Sequence, residues 1–426
     1  MNYSDGERLA TVLKNIGYQE TKNEDEADLI AIVACSVKQA AVDRIHSKIH
    51  HWQLSKETRP LITILSGCVL EADRKKLAHK FDLFIDIKNL DNLANDIASI
   101  HPAEGPERER GKEKLALPSF FDISPSYGST YRAYVPIMTG CNKFCSYCAV
   151  PYTRGRETSR PSENILSEIK NLLDKGYKEI VLLGQNVNSY GLDKKGQEIS
   201  FPELLKKIDS LSKHFWLKFL TSHPYDMSDE LIEVMSKCKN LNDYLHLPVQ
   251  CGSDEILKKM NRHYTVAQYK KLIKKIRKLM PHLTISTDII VGFCGETEDD
   301  FSKTKKLVKN INYNLMYISQ YSSRAGTIAN KMYKDDVPKT VKKKRWQEMN
   351  AQLTIQSFNF NKNLIGQKYE ALIDLVNKEE AKFVNIGKLS NYLPVHIENT
   401  QALKIGNFYQ VEISEALDWG VKAKLI

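Results

Sequence analysis

From Tyr131 to Gln320 the chain repeats one pattern: a short strand-like run, then a stretch of helical periodicity, then another run. The runs are Ala133 to Met138, Glu179 to Leu183, Leu217 to Thr221, Tyr244 to Pro248, Thr284 to Val291 and Leu315 to Gln320. Strand-like runs that alternate with helical stretches imply a parallel sheet with crossovers. Parallel neighbours need crossovers, and segments such as Ile165 to Leu173 and Tyr269 to Met280 can supply them as helices. Repeated strand–helix units predict a full or partial (β/α) barrel, whose chemistry collects at the carboxyl ends of its strands.

The flanking regions differ. Before residue 101 a helix containing Leu9, Val12, Leu13 and Ile16 precedes three apolar runs at Leu29 to Val33, Leu61 to Leu65 and Leu83 to Ile87, which predicts a smaller parallel α/β domain. Cys35 and Cys68 each lie just past one of these runs, so both arrive at one sheet edge and are candidate ligands. A lone buried cysteine is ordinarily a small hydrophobe; the matched placement is what argues otherwise. Residues 102–128, containing EGPERERGKEK, read as a linker. A basic helix is expected from Pro338 to Asn363, and the short runs after it predict a small β-barrel, a shape that often holds nucleic acid.

The formal net charge is +10, unevenly placed: residues 1–100 carry 13 Lys and Arg against 15 Asp and Glu, whereas 338–365 carry 6 against 1. A solvated lysine surface explains this as well as a nucleic-acid face does until a second observation is added. Arg154, Arg156 and Arg160 suit phosphate contact on the same footing. No apolar run approaches the roughly 18 residues of a membrane helix, and no leader pattern opens the chain, so a cytoplasmic protein with no membrane association is expected. In that reducing compartment eight cysteines argue for metal or redox chemistry before disulfides.

The sharpest signal is GCNKFCSYC, which places Cys141, Cys145 and Cys148 in a Cys-x3-Cys-x2-Cys spacing after the first barrel run. Three thiolates can each take one iron of a 4Fe–4S cubane. The fourth iron is then open to a small molecule offering an amine and a carboxylate, and S-adenosylmethionine offers both. Zinc would want a fourth Cys or His nearby, and a ferredoxin-type run spaces four cysteines differently.

Five collinear segments carry a resemblance: GCNKFCSYCAVPYTRGRETSRP (Gly140 to Pro161), LLGQNVNSYG (Leu182 to Gly191), TSHP (Thr221 to Pro224), HLPVQCGSDEILKKMNR (His246 to Arg262) and DIIVGFCGETEDDF (Asp288 to Phe301). Together they resemble the methylthiotransferase family of radical S-adenosylmethionine enzymes, in particular its bacterial tRNA members. The resemblance covers nearly the whole chain. It implies an N-terminal methylthiotransferase domain at 1–101, a radical barrel with its following helix at 129–363, and an RNA-binding TRAM barrel at 364–426. It further implies methylthiolation of C2 of N6-isopentenyladenosine at position 37 of tRNA. That carbon has no usefully acidic proton and no leaving group, which is why a radical route is needed. The cofactors implied are S-adenosylmethionine and two 4Fe–4S clusters: the radical cluster on Cys141, Cys145 and Cys148, and an auxiliary sulfur-delivering one to which Cys35 and Cys68 contribute. Tyr147, Gly184, Gln185 and Asn186 fall where relatives approach the methionine moiety; Ser222, His246 and Gln250 fall where they approach ribose or substrate. The partners implied are tRNA and a reductant such as a flavodoxin or ferredoxin, with the enzyme a monomer.

Two departures accompany the resemblance. Cys251 and Cys294 stand where relatives usually have Ser and Pro, and neither is assigned a role; Cys238 reads as structural. MNYSDGERLATVL resembles the stretch that follows the family's first auxiliary cysteine, so that cysteine and its strand are expected upstream of Met1. Other branches of the family act on threonylcarbamoyladenosine in tRNA or on a ribosomal protein, but TSHP and HLPVQ fit the isopentenyladenosine branch best. A tRNA-binding protein that no longer catalyses is the reading from another class, and the intact cysteine loop argues against it.

Overall fold

The computed structural model describes residues 1–35, 39–90, 92–100, 120–211, 213–379 and 382–426. After the helix Asn2–Asn15, strands β1 (Leu29–Cys35), β2 (Ile62–Cys68) and β3 (Leu83–Phe84) form a parallel sheet in that order. Apolar side chains cover both faces. Leu9, Val12, Ile87 and Ile97 pack on one, and Ile45, Ile49, Trp52 and Phe81 on the other, which is why the strand sequences do not alternate. Cys35 and Cys68 are directly opposite each other in the β1–β2 register, each the last residue of its strand. Most of the stretch read as a linker, 102–119, lies outside the described residues. Its end does not behave as a linker. Phe120 and Ile123 are buried in the N-terminal core, and Arg8 Nε donates to the carbonyl of Phe120 at 3.2 Å.

The central unit begins with β4 (Arg132–Pro136), then a short antiparallel ribbon of β5 (Met138–Thr139) and β6 (Thr158–Ser159). Five further strands follow: β7 (Glu179–Leu183), β8 (Trp216–Phe219), β9 (Tyr244–His246), β10 (Thr284–Val291) and β11 (Leu315–Gln320). They pair in parallel as β4-β7-β8 and β9-β10-β11, and a bridge between Leu217 and Leu241 joins the halves. Among the described residues β4 and β11 do not pair, so the wall is a partial barrel, open on one side. All six expected runs are strands. Three end earlier than expected: Ile137 interrupts the first between β4 and β5, and Leu220 with Thr221, and Leu247 with Pro248, leave the sheet for loops at its carboxyl end.

The helix Lys339–Lys362 packs against β11, and β12 (Lys368–Glu379), β13 (Lys382–Leu389), β14 (Pro394–Asn399), β15 (Phe408–Leu417) and β16 (Gly420–Leu425) close into a barrel. This last unit is locked to the central one by buried charge. Lys218 Nζ donates to Glu179 at 2.9 Å and stands 3.5 Å from the centre of the Tyr392 ring; Arg132 pairs with both Glu179 and Asp374. The helix is less basic outside than its sequence suggests. Lys342 and Arg345 are buried, the first on Tyr321 O and Asp335, the second on Glu296 and Glu298, leaving Lys343 and Lys344 exposed. Among the described residues no helix is long and apolar enough to cross a membrane.

Candidate active site

The cysteine loop hangs between β5 and β6, and its shape depends on Gly140. With φ at +81°, that residue has Arg156 O only 1.9 Å from where a Cβ would lie, so no other side chain fits. Phe144 is also left-handed, at φ 48°. The turn is held from outside: Asn261 Nδ2 donates to Phe144 O at 2.9 Å, and Ser146 donates from its backbone N to Met260 O at 3.0 Å. Arg262, fully buried against Tyr264, reaches Cys145 Sγ at 3.3 Å and Pro248 O at 2.7 Å. The His246 to Arg262 segment therefore cradles the loop, although its sequence alone assigns Arg262 no role.

Burial pushes the Cys141 thiol up to about 11 and the Cys148 thiol up to about 12, so both are protonated until a metal supplies compensating charge. Among the described residues no three His, Cys, Asp or Glu side chains crowd one point as ligands of a single ion would. A cubane makes no such demand, because each thiolate takes a different iron. Three soft donors on one loop, with backbone and cation support on the sulfurs (Val150 N to Cys148 Sγ, 3.4 Å), fit a 4Fe–4S cluster.

The residues expected to meet S-adenosylmethionine fall into two groups. Gln185 Oε1, Asn186 Oδ1 and Gln250 Oε1 are buried and have no hydrogen-bond partner, and unpaired acceptors at strand ends fit a ligand bearing an amine and hydroxyls. Asn186 Nδ2 meanwhile donates to Asp226, which pairs with Lys143 of the cysteine loop. Gln250 holds its position at φ 74°, donating from N to Asp288 O. The second group is tied up internally. Gly184 lies where a Cβ would meet Met138 at 2.7 Å, a packing constraint; Ser222 donates to His246 O, and His246 shares a hydrogen bond with Ser286 Oγ at 2.8 Å. Tyr147, whose phenol burial holds well above its ordinary pKa, lines with Gln250, Asp288, Tyr317, Arg324 and Trp346 a cavity of about 470 Å³.

Of the arginines read as phosphate contacts, only Arg156 remains exposed, over the Phe144 ring at 4.3 Å. Arg160 is buried on Glu168. Arg154 is buried too, pairing with Asp5 and donating from Nε to Cys68 Sγ at 2.7 Å. Burial pushes the Cys68 thiol up against this cation. Cys251 and Cys294 sit in an apolar cluster with Ile256, Met260 and Phe293.

A parallel partial barrel with a three-cysteine loop at its carboxyl end is the architecture of a radical S-adenosylmethionine enzyme, and residues 135–308 match the Radical SAM superfamily. Residues 1–86 match the uncharacterized protein family UPF0004. Across known structures, the radical S-adenosylmethionine methyltransferase TsrM from Kitasatospora setae shares this fold at a TM-score of 0.56 and 12% identity, over 76% of this chain and 73% of that one.

Curated relatives are much nearer. The tRNA-2-methylthio-N(6)-dimethylallyladenosine synthase of Clostridium botulinum (strain Hall) is 40% identical over 92% of this chain and 89% of its own length. That of Carboxydothermus hydrogenoformans is 38% identical over 97% and 94%. The chain belongs to the tRNA-2-methylthio-N(6)-dimethylallyladenosine synthase family.

Proposed function

We propose that this chain methylthiolates C2 of N6-isopentenyladenosine, the dimethylallyl nucleoside of its relatives' names, at position 37 of tRNA. The observation that supports this best is the contact between the cysteine-loop segment and the thiol edge of the N-terminal sheet. Arg154, just past the loop, reaches Cys68, which stands beside Cys35, so the chain joins its two thiol-bearing segments directly. A reaction that activates a carbon and then gives it sulfur needs both at one substrate atom.

In this reading Cys141, Cys145 and Cys148 hold the radical cluster, while Cys35 and Cys68 belong to an auxiliary cluster. When bound, the radical cluster and S-adenosylmethionine supply a reductive carbon–sulfur cleavage that lets the C2 hydrogen be removed. The chain's own residues do the rest. Arg262 orients Cys145, Gln185, Asn186 and Gln250 offer acceptors to the cofactor, and the open side of the barrel admits a nucleotide. Residues 1–101, 129–363 and 364–426 act as sulfur-delivery, radical and RNA-binding units. A flavodoxin or ferredoxin provides the electron, and the enzyme works as a cytoplasmic monomer.

Two measurements test this. Anaerobically reconstituted protein should form deoxyadenosine when reduced, and replacing all three loop cysteines by Ala should abolish it. Mass spectrometry of tRNA nucleosides from a deletion strain should show the 2-methylthio form missing and its isopentenyl precursor retained. Persistence of the methylthio nucleoside there would refute the assignment.

A further inference from the structure

The open side of the catalytic wall is bounded by β11, and one side chain fastens onto that edge. Trp346, on the helix Lys339–Lys362, donates from Nε1 to Ile318 O at 3.0 Å. Its indole is fixed yet 37% exposed, and Tyr317 is 47% exposed. Both line the cavity at its exposed side, while Tyr147, Gln250 and Asp288 line it from the cysteine loop and the neighbouring strands. Large apolar groups left in water beside a cavity gain free energy when a ligand covers them. The two large exposed aromatic groups of the lining, Tyr317 and Trp346, thus stand at its solvent side, while Ser319, Gln320, Ser322 and Arg324 carry polar groups along and beyond β11. Lys343 and Lys344, exposed just ahead of Trp346 on the same helix, add positive charge that a phosphate backbone would neutralise.

We infer that Trp346, with Tyr317, seats the branched five-carbon group on N6 of the substrate adenosine, and that this rim sets the preference for an isopentenylated base over an unmodified one. The inference rests on the substrate reading above. C2 and the N6 substituent project from the adenine ring in different directions. A base that turns C2 toward the cysteine loop therefore directs its N6 group toward the mouth, where the apolar surface is. An unmodified amine would leave that surface wet and gain nothing from it.

The test compares two synthetic anticodon stem-loops, identical except for the isopentenyl group on A37, bound to the full chain with its clusters reconstituted anaerobically. Wild type should bind the isopentenylated RNA more tightly. Trp346→Ala should shrink the ratio of the two dissociation constants by roughly tenfold, and Trp346→Phe should keep most of it. Because the ratio is taken within one variant, a general loss of folded protein cancels. A wild-type ratio near one, an unchanged ratio in Trp346→Ala, or equal weakening of both RNAs, as a neighbouring base stacked on the indole would give, overturns the inference. Methylthiolation is followed in parallel. Wild-type protein that cleaves S-adenosylmethionine but modifies neither RNA overturns the substrate reading instead.

Discussion

Arg154 donates from Nε to the sulfur of Cys68 at 2.7 Å across 86 residues of chain, while its Nη2 pairs with Asp5 at 2.5 Å. Arg154 is 4% exposed and Asp5 is fully buried, so this one guanidinium ties the N-terminal sheet to the cysteine loop in a place water does not reach. Arg154→Ala would leave the Asp5 carboxylate uncompensated, and a buried pair broken on one side costs about 3–5 kcal/mol. Denaturant unfolding should show that loss, and adding Asp5→Asn should restore part of it. A single-variant loss below about 1 kcal/mol would mean the pair is solvated in the working protein.

Gly140→Ala should cost the loop its iron. The added methyl would overlap Arg156 O, and the residue's φ of +81° is already unfavourable for a side chain. Iron and sulfide per chain after anaerobic reconstitution should fall by about the share the loop cysteines hold, as in the triple Ala variant, with deoxyadenosine formation lost. Full iron loading in Gly140→Ala would contradict the geometry.

Stability should fall in acid through Glu179. Burial raises the pKa of this carboxyl, but Lys218 and Arg132 outweigh burial and hold it below the ordinary value. A carboxylate with a depressed folded pKa stabilises above its unfolded pKa and loses that contribution as pH drops through the folded one. Glu179→Gln should therefore remove part of the acid dependence. At neutral pH it should also destabilise by about 3–5 kcal/mol, since Lys218 is left buried without its partner. Unfolding curves collected from neutral pH to about pH 3 decide this; parallel acid limbs for wild type and Glu179→Gln would count against it.

The four consecutive cations of the long helix should separate into two kinds. Lys343→Ala with Lys344→Ala should weaken tRNA binding and flatten the dependence of log Kd on log salt by up to about 2 units, with little change in melting temperature. Lys342→Ala or Arg345→Ala should lower the melting temperature, because each removes a buried side chain with its pairing, to Asp335 and Tyr321 O or to the buried Glu296. A salt slope that responds only to the buried pair would reverse the assignment.

What the sequence determined by itself was local. Strand–helix alternation made β7, β10 and β11 legible to the residue, and the Cys-x3-Cys-x2-Cys spacing pointed to a cluster without help from distant residues. The opposed placement of Cys35 and Cys68 also followed from where each apolar run ends. Tertiary structure decided which charges face water. Arg154, Arg160, Lys342 and Arg345 look like surface cations in the sequence, and their acidic partners, among them Asp5, Glu168 and Glu296, lie up to 149 residues away. It also decided that Phe120 and Ile123 belong to a core and that Arg262 supports Cys145. The reason is the same in each case. Strand burial and ligand spacing are set by neighbours within a few residues, whereas the burial of a charge depends on a partner that only the folded chain brings within hydrogen-bonding distance.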